Sequence, residues 1–65
     1  MSVVSKNLKR VLEYRKMKQK ELAKALHTSE ACVSRYVNGK RTPRVDTMFR
    51  IALILRVDIN EFIKV

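Results

Sequence analysis

The 65-residue chain is poor in the residues that small proteins use as staples or as reactive groups. It contains one Cys, one His, one Gly, one Pro and no Trp. One Cys excludes an intramolecular disulfide, and one Cys with one His cannot supply the four ligands of a structural zinc site. The sequence also shows no catalytic triad, carboxylate pair or glycine-rich loop, and so short a chain has scarcely room for a substrate pocket. We therefore expect no enzyme, no metal, no cofactor and no small-molecule substrate.

Long apolar segments are missing as well. No stretch approaches the roughly 20 apolar residues that a membrane span needs. The opening MSVVS is too short for the core of a signal peptide. The unpaired Cys32 fits a reducing compartment. These observations predict a cytoplasmic protein without a membrane partner.

Positive charge is abundant but unevenly distributed. The net charge is +9 at pH 7. Residues 1–44 contain twelve Lys or Arg and three acidic residues, whereas residues 45–65 contain three of each, so the first two-thirds hold the whole excess. This asymmetry indicates one surface for a polyanion and another for core or partner contacts. The alternative is a basic surface that is merely solvated.

Apolar residues recur with helical spacing, and no run alternates long enough to form a strand. The first helix begins at Ser2 or Ser5, either of which can cap it. The spacing predicts five helices, over about 5–16, 19–26, 30–37, 43–55 and 59–64. Because these helices are joined by short links without a linker or repeat, we expect one all-α domain over residues 1–65.

Three sequence signals set the bounds of the later helices. Ser29 is a good N-cap for the third helix, which Asn38-Gly39 ends. Thr42-Pro43 predicts an N-cap followed by Pro at the first position of the fourth helix. Asp58 and Glu61 have the spacing of a capping box for the fifth. The link between the second and third helices is only about three residues, which is typical of a helix-turn-helix unit.

A pattern of Gln-x-x-Leu-Ala, then Ser-x-x-x-Val-Ser-Arg-Tyr-x-Asn-Gly, runs from Gln19 to Gly39. Matching residues continue through Lys40-Arg-Thr-Pro43, Thr47, Ile51-Ala52, Leu55, Val57 and Glu61-Phe62. Over about residues 8–62 the chain resembles the Cro/XRE family of helix-turn-helix DNA-binding domains, which are phage lambda repressor-like. The resemblance implies a compact five-helix fold and sequence-specific binding of double-stranded DNA in transcription regulation.

The third helix divides into two halves on a helical wheel. Cys32, Val33, Tyr36 and Val37 form an apolar half suited to a core. The other half offers hydrogen-bonding groups and a methyl group that can read base edges in the major groove. These candidate base-reading residues are Glu30, Ala31, Ser34 and Arg35. For Glu30 the alternative is that it merely complements the positive end of the helix dipole.

Cations and amides surround this helix. The resemblance implies phosphate contacts at Gln19, Asn38 and Lys40. Lys18 stands where the family usually has a capping Ser or Thr. Loss of the cap and the opposed helix dipole cost on the order of 1 kcal/mol. A lysine there is explained if a phosphate lies beside it, and random variation is the alternative. The full set of candidate phosphate-binding residues is Lys18, Gln19, Lys20, Ser29, Asn38, Lys40, Arg41 and Arg44.

Other positions depart from the family pattern or invite a second interpretation. His27 and Arg56 stand where the family commonly places Gly at a helix end, at a cost of roughly 1 kcal/mol each. Cys32 could be a redox switch, but its place on the wheel favours a small buried filler. His27 could sense pH, but a turn residue of this kind favours a structural role.

The neutral last third is strongly apolar. Seven of the eight residues from Met48 to Leu55 are apolar, and the spacing predicts a core stripe of Val45, Met48, Ala52 and Leu55 with Ile51 beside it. A helix that is apolar nearly all round must bury its second face. The resembled family pairs through this region, which implies a dimer region over residues 49–65, with an interface of Phe49, Leu53, Val57, Ile59, Phe62 and Ile63. The alternative is that the fifth helix folds back and covers these side chains within the monomer.

We therefore expect a bacterial or phage-encoded regulator, nucleoid-associated when bound, that represses by occupying a near-palindromic operator as a homodimer. We expect no effector or cleavage domain, so that regulation would come through amount, partner or operator affinity. The alternative is an antitoxin-like module whose apolar third binds another protein. A basic membrane-surface peptide is disfavoured because the cations do not lie on one long amphipathic helix.

Overall fold

Residues 2–64 are described by a computed structural model, and within them all regular structure is helical. None of these helices is long and apolar enough to cross a membrane. The five helices are α1 (Val3–Tyr14), α2 (Gln19–Leu26), α3 (Glu30–Val37), α4 (Val45–Leu55) and α5 (Asn60–Ile63). The predicted all-α class is confirmed, and the bounds of α2 and α3 agree with the sequence prediction.

α1 lies two residues earlier than expected at each end. It begins after Ser2, whose Oγ accepts a hydrogen bond from the backbone N–H of Ser5 at 3.1 Å. Ser5 is buried inside the helix, and its hydroxyl donates to the carbonyl of Ser2 at 2.9 Å. The helix stops at Tyr14 because the chain turns at Lys16, which has a positive φ of 55°.

α4 begins after Pro43 rather than at it, so the predicted cap at Thr42 is wrong. Pro43 is buried, beside the apolar side chains of Val4, Leu8 and Phe62. This packing keeps Pro43 outside the helix, and Arg44 becomes the N-cap residue without a side-chain hydrogen bond.

α5 is also shorter than expected, and its capping box is incomplete. The Asp58 carboxylate accepts from the backbone N–H of Asn60 at 2.8 Å. The Glu61 carboxylate, which should reach back to Asp58, instead accepts from Arg10 of α1 at 3.3 Å. The ion pair with Arg10 therefore takes the place of the capping-box bond from the backbone N–H of Asp58 to the Glu61 carboxylate.

The first four helices end in the same kind of turn, and glycine is present in only one of them. In each turn a residue of positive φ is followed by a backbone N–H that bonds to the carbonyl five residues earlier, at 2.9–3.0 Å. The positive-φ residues are Lys16, His27, Gly39 and Arg56. His27 and Arg56 were expected to adopt this conformation, and Lys16 was not. Each non-glycine residue there costs roughly 1 kcal/mol.

All five helices contribute to one core. α1 packs against α3 and α5, and α2 against α3 and α4. The buried apolar residues are Leu8, Val11, Leu12, Leu22, Ala23, Leu26, Val33, Tyr36, Val37, Ile51, Ala52, Leu55 and Phe62. Val45 was expected among them but is 61% exposed. It lies about 70° around α4 from the centre of the buried face, at 100° per residue.

The predicted dimer interface has to be revised at Phe62. Its side chain is 1% exposed because α5 folds back on α1. Asn7 fixes this arrangement, since its Nδ2 donates to the carbonyls of Phe62 at 3.0 Å and Lys64 at 2.7 Å. Val57 and Ile59 are half-buried against the core. Of the six predicted interface residues, Phe49, Leu53 and Ile63 remain exposed.

Candidate nucleic-acid interface

α3 presents a polar arc to solvent because its other side is anchored in the core. The helix begins at Glu30, where the Ser29 Oγ accepts from the backbone N–H of Cys32 at 3.1 Å. Val33, Tyr36 and Val37 point inward and are buried. The four candidate base-reading residues lie together on the opposite side, with Ser34 half-buried and Glu30, Ala31 and Arg35 exposed.

One hydrogen bond links a candidate base-reading residue to a candidate phosphate-binding residue. The Nδ2 of Asn38 donates to the Oγ of Ser34 at 3.1 Å. The Ser34 hydroxyl therefore still has its own proton to donate, and Asn38 still has its amide oxygen and a second N–H. Asn38 thus positions Ser34 while keeping groups for an outside partner.

The N-terminus of α2 differs from that of α3 because its cap residue is a lysine. Lys18 has no acceptor to offer, and only the reverse bond is made, from its backbone N–H to the Glu21 carboxylate at 3.1 Å. Within residues 2–64, the backbone N–H groups of Gln19 and Lys20 have no hydrogen-bond acceptor. Such free N–H groups at a helix N-terminus, with lysines beside them, favour an anion.

An open cleft of about 750 Å³ extends this basic surface beyond the sequence prediction. It lies where the end of α1 meets the start of α2 and Glu30 of α3. Lys9 and Lys16 line it together with Lys18, Gln19 and Lys20. No local signal marks these two lysines, because Lys16 lies beyond the end of α1 and only the meeting of α1 with α2 brings it beside Lys18.

A second basic group follows α3. Gly39 has a positive φ of 73°. It folds the chain back so that the N–H groups of Lys40 and Arg41 both donate to the carbonyl of Arg35, at 2.9 and 3.3 Å. The side chains of Lys40, Arg41 and Arg44 are exposed. Cations therefore lie near both ends of α3.

In the part of the chain that the structure describes, none of these cations lies within 4 Å of a carboxylate oxygen. Within residues 2–64 both ion pairs involve Glu61, which contacts Arg10 at 3.3 Å and Lys64 at 3.7 Å. Both lie on the side of the molecule where α5 packs against α1. The cations around α2 and α3 remain available to an outside anion.

Cys32 lies at the edge of α3 and is half-buried against the core, which fits a small packing residue. The side chains of Tyr36 and Thr28, and then the charge of Arg41, lower the pKa of its thiol. Contact with the same thiol raises the pKa of Tyr36. Among residues 2–64 no group of three His, Cys, Asp or Glu residues could hold a metal ion.

Comparison with known proteins agrees with this arrangement. A helix-turn-helix family model matches residues 8–62, which include all of α2, α3 and α4. The chain belongs to the Cro/XRE-type helix-turn-helix family. This family consists of DNA-binding regulators of transcription and is typically non-enzymatic.

A phage protein is similar over part of its length. The "ImmF control region 10 kDa protein" of Bacillus phage phi105 is 41% identical over 44 residues, which are 68% of this chain and 49% of the phage protein. The chain thus spans about half the length of that relative. No solved structure gives a significant match.

Proposed function

We propose that this helix-turn-helix protein is a repressor that binds a near-palindromic operator as a homodimer and reads base edges with α3. The observation that carries the proposal is the exposed polar arc of α3 with cations near both of its ends. A recognition helix needs small or hydrogen-bonding side chains on its outer face and phosphate contacts that fix its position.

The chemistry of the arc supports base readout by four residues. The guanidinium of Arg35 can donate two hydrogen bonds to guanine O6 and N7, and the Glu30 carboxylate can accept from cytosine N4. The Ala31 methyl group can pack on the methyl group of thymine, and the Ser34 hydroxyl can donate to an acceptor on either strand. Glu30 is the position of greatest interest, because a carboxylate so close to phosphates needs a base partner to offset repulsion.

Phosphate contacts are proposed on both sides of α3. On the α2 side, Lys18, Gln19 and Lys20 would bind one strand together with the free N–H groups, and Lys9 and Lys16 would extend the contact. Ser29 can add its hydroxyl proton, because its oxygen is what accepts the capping bond. On the other side, the proposed contacts are Asn38, Lys40, Arg41 and Arg44.

Pairing of two copies would follow from the apolar last third, residues 49–65. Phe49, Leu53 and Ile63 are 52%, 79% and 56% exposed, and exposed apolar surface of this kind favours a partner. A two-fold dimer would hold two α3 helices about 34 Å apart, with half-sites about 10–10.5 base pairs apart. Occupation of such an operator would block transcription, in keeping with the control-region name of the phage relative.

Selection of binding sites from random duplex DNA tests this proposal. We expect enrichment of one sequence whose logo has two-fold symmetry and half-site centres about 10–10.5 base pairs apart. An enriched but asymmetric logo would contradict the homodimer. Absence of any enriched sequence would contradict sequence-specific readout by α3.

A second candidate function is a protein-interaction module whose apolar third binds another protein, with DNA binding secondary. The exposed Leu53 favours it, because a side chain that is 79% exposed can bind any apolar partner. Sedimentation of the isolated chain separates the two candidates. A chain that stays monomeric at all concentrations, but forms a stoichiometric complex with a second protein, would favour the module.

A further inference from the structure

α4 has a second apolar face that lies outside the core. Val45, Phe49 and Leu53 are spaced four residues apart and are 61%, 52% and 79% exposed. At 100° per residue each follows the previous one by about 40° around the helix, so they form a continuous stripe. We call these three residues the α4 stripe. The buried face of α4, which contains Ile51 and Leu55, lies on another side.

Two opposite charges flank one edge of the α4 stripe. Asp46 and Arg50 are both exposed, and at 100° per residue they lie about 60° and 100° from Phe49 in the same direction. Within residues 2–64 neither has an opposite charge within 4 Å. The edge therefore offers one carboxylate and one guanidinium, one helical turn apart, that are free to pair outside the monomer.

We propose that the partner of the α4 stripe is a second copy of this chain, with the two α4 helices antiparallel and Phe49 at the two-fold axis. In this register Val45 lies level with the partner's Leu53. Asp46 lies within about 3 Å, measured along the helix axis, of the partner's Arg50, at a rise of 1.5 Å per residue. Both charges lie on the same edge of the seam, so two ion pairs form, related by the two-fold axis.

The charge pattern favours this partner and this direction. A two-fold interface uses the same patch on both copies, so the patch must be complementary to itself. The α4 stripe with Asp46 and Arg50 meets this condition only when the helices run antiparallel. In a parallel pair the two-fold axis would place the charges of one copy on one edge of the seam and those of the partner on the opposite edge, so Asp46 and Arg50 would stay unpaired.

The inference rests on the proposed homodimer and supplies its surface. It replaces the broad region predicted from sequence by one face of one helix. It also leaves α3 and its surrounding cations outside the seam. Self-association can therefore be measured without DNA, and its outcome is independent of base readout.

Charge exchange in α4 is the first test. Asp46→Arg and Arg50→Asp should each weaken self-association about tenfold or more, because each places like charges together twice in the dimer. The double variant Asp46→Arg/Arg50→Asp should restore the parent's dissociation constant to within about threefold. Sedimentation equilibrium measures association, and circular dichroism checks the fold. Lys6→Asp is the matched control: Lys6 is exposed on α1, and its charge change is the same as that of Arg50→Asp. This variant should leave the dissociation constant nearly unchanged.

Cross-linking at the axis is the second test. In a Cys32→Ser background, Phe49→Cys places two thiols opposite each other, and oxidation by copper phenanthroline and oxygen should join them in a disulfide. Lys6→Cys, exposed on α1, is the matched control and should cross-link at least about tenfold more slowly.

The outcomes separate the inference from the homodimer itself. A dimer that the double variant does not restore, and that fails to cross-link at position 49, would overturn the α4 register while leaving the homodimer intact. A parent chain that is monomeric at every concentration would overturn both. If the parent chain does not bind an operator but associates and cross-links as expected, the proposed DNA contacts would be contradicted and the α4 seam would be supported.

Discussion

The two parts of this chain expose opposite kinds of surface. Residues 1–44 contain the whole positive excess, and their recognition arc has no exposed apolar side chain larger than Ala31. Residues 45–65 have no net charge, yet they contain Val45, Phe49, Leu53 and Ile63 among the large exposed apolar residues. A surface for DNA needs cations and hydrogen-bonding groups, whereas a surface for protein needs apolar area. The division teaches that a single small fold can keep the two contacts apart.

The largest expected effect separates core from surface inside the apolar last third. Phe62→Ala should lower the free energy of unfolding by about 3–5 kcal/mol, because a buried ring leaves a cavity. Phe49→Ala, with its ring half exposed, should lower the monomer's stability by less than about 1 kcal/mol. Urea denaturation at a concentration where the chain is monomeric measures both. Equal losses would mean that the two aromatic residues have the same role.

The next effect concerns base readout in the basic part. Arg35→Ala should weaken operator binding by about 1–3 kcal/mol and relax the preference at one base pair in each half-site. Titration against the selected operator and its single-base variants measures this. Lys40→Ala is the matched control, since loss of a phosphate contact should weaken binding to operator and random DNA alike. An unchanged preference profile for Arg35→Ala would remove Arg35 from the base-reading set.

A smaller effect is expected at Lys18, where we test whether the lysine lowers the stability of the fold but strengthens DNA binding. Lys18→Ser adds an N-cap acceptor to α2 and removes a repulsive charge, so it should raise the free energy of unfolding by about 1 kcal/mol. The same change should weaken DNA binding and reduce the log–log salt slope by about 0.9. Ser29→Ala, at the cap of α3, should instead lower stability by about 1 kcal/mol. A stabilised Lys18→Ser variant with unaltered DNA affinity would mean that Lys18 contacts no phosphate.

The smallest effect concerns the helix ends in both parts. Arg56→Gly and His27→Gly should each stabilise the fold by about 0.5–1 kcal/mol, because Gly adopts positive φ without strain. The greater conformational entropy that Gly gives the unfolded chain offsets part of this gain. Thermal unfolding measures the change. Arg56→Gly should leave DNA binding unchanged, since Arg56 lies between α4 and α5, away from α3. Destabilisation by both variants would mean that their side-chain contacts outweigh backbone strain.

Local signals explain which parts of the fold were predictable from sequence. The bounds of α3 were predicted correctly because Ser29 caps its start and Asn38-Gly39 ends it. The bounds of α2 were also correct. The start of α4 was wrong because burial of Pro43 among α1 and α5 residues overrides the Thr42-Pro43 signal. The burial of Phe62 depends on α5 folding back on α1, a tertiary contact that no local pattern contains.

The candidate site was predictable to a similar degree. The wheel of α3 separated the exposed arc from the core correctly, because one amphipathic helix determines both. Lys9 and Lys16 were missed as parts of the basic surface, since only the meeting of α1 with α2 brings them beside Lys18. The roles of all these residues toward DNA stay predictions.

The central claim is that residues 18–44 contact DNA while residues 45–64 do not, and one titration tests it most directly. Backbone amide resonances of the ¹⁵N-labelled chain would be followed as the selected operator is added, at a protein concentration where the self-association state is already fixed. The largest shift changes are expected in α2, in α3 and through Arg44, with small changes in α4 and α5. Largest changes along α4 and α5, or changes spread evenly over the chain, would contradict the division of surfaces.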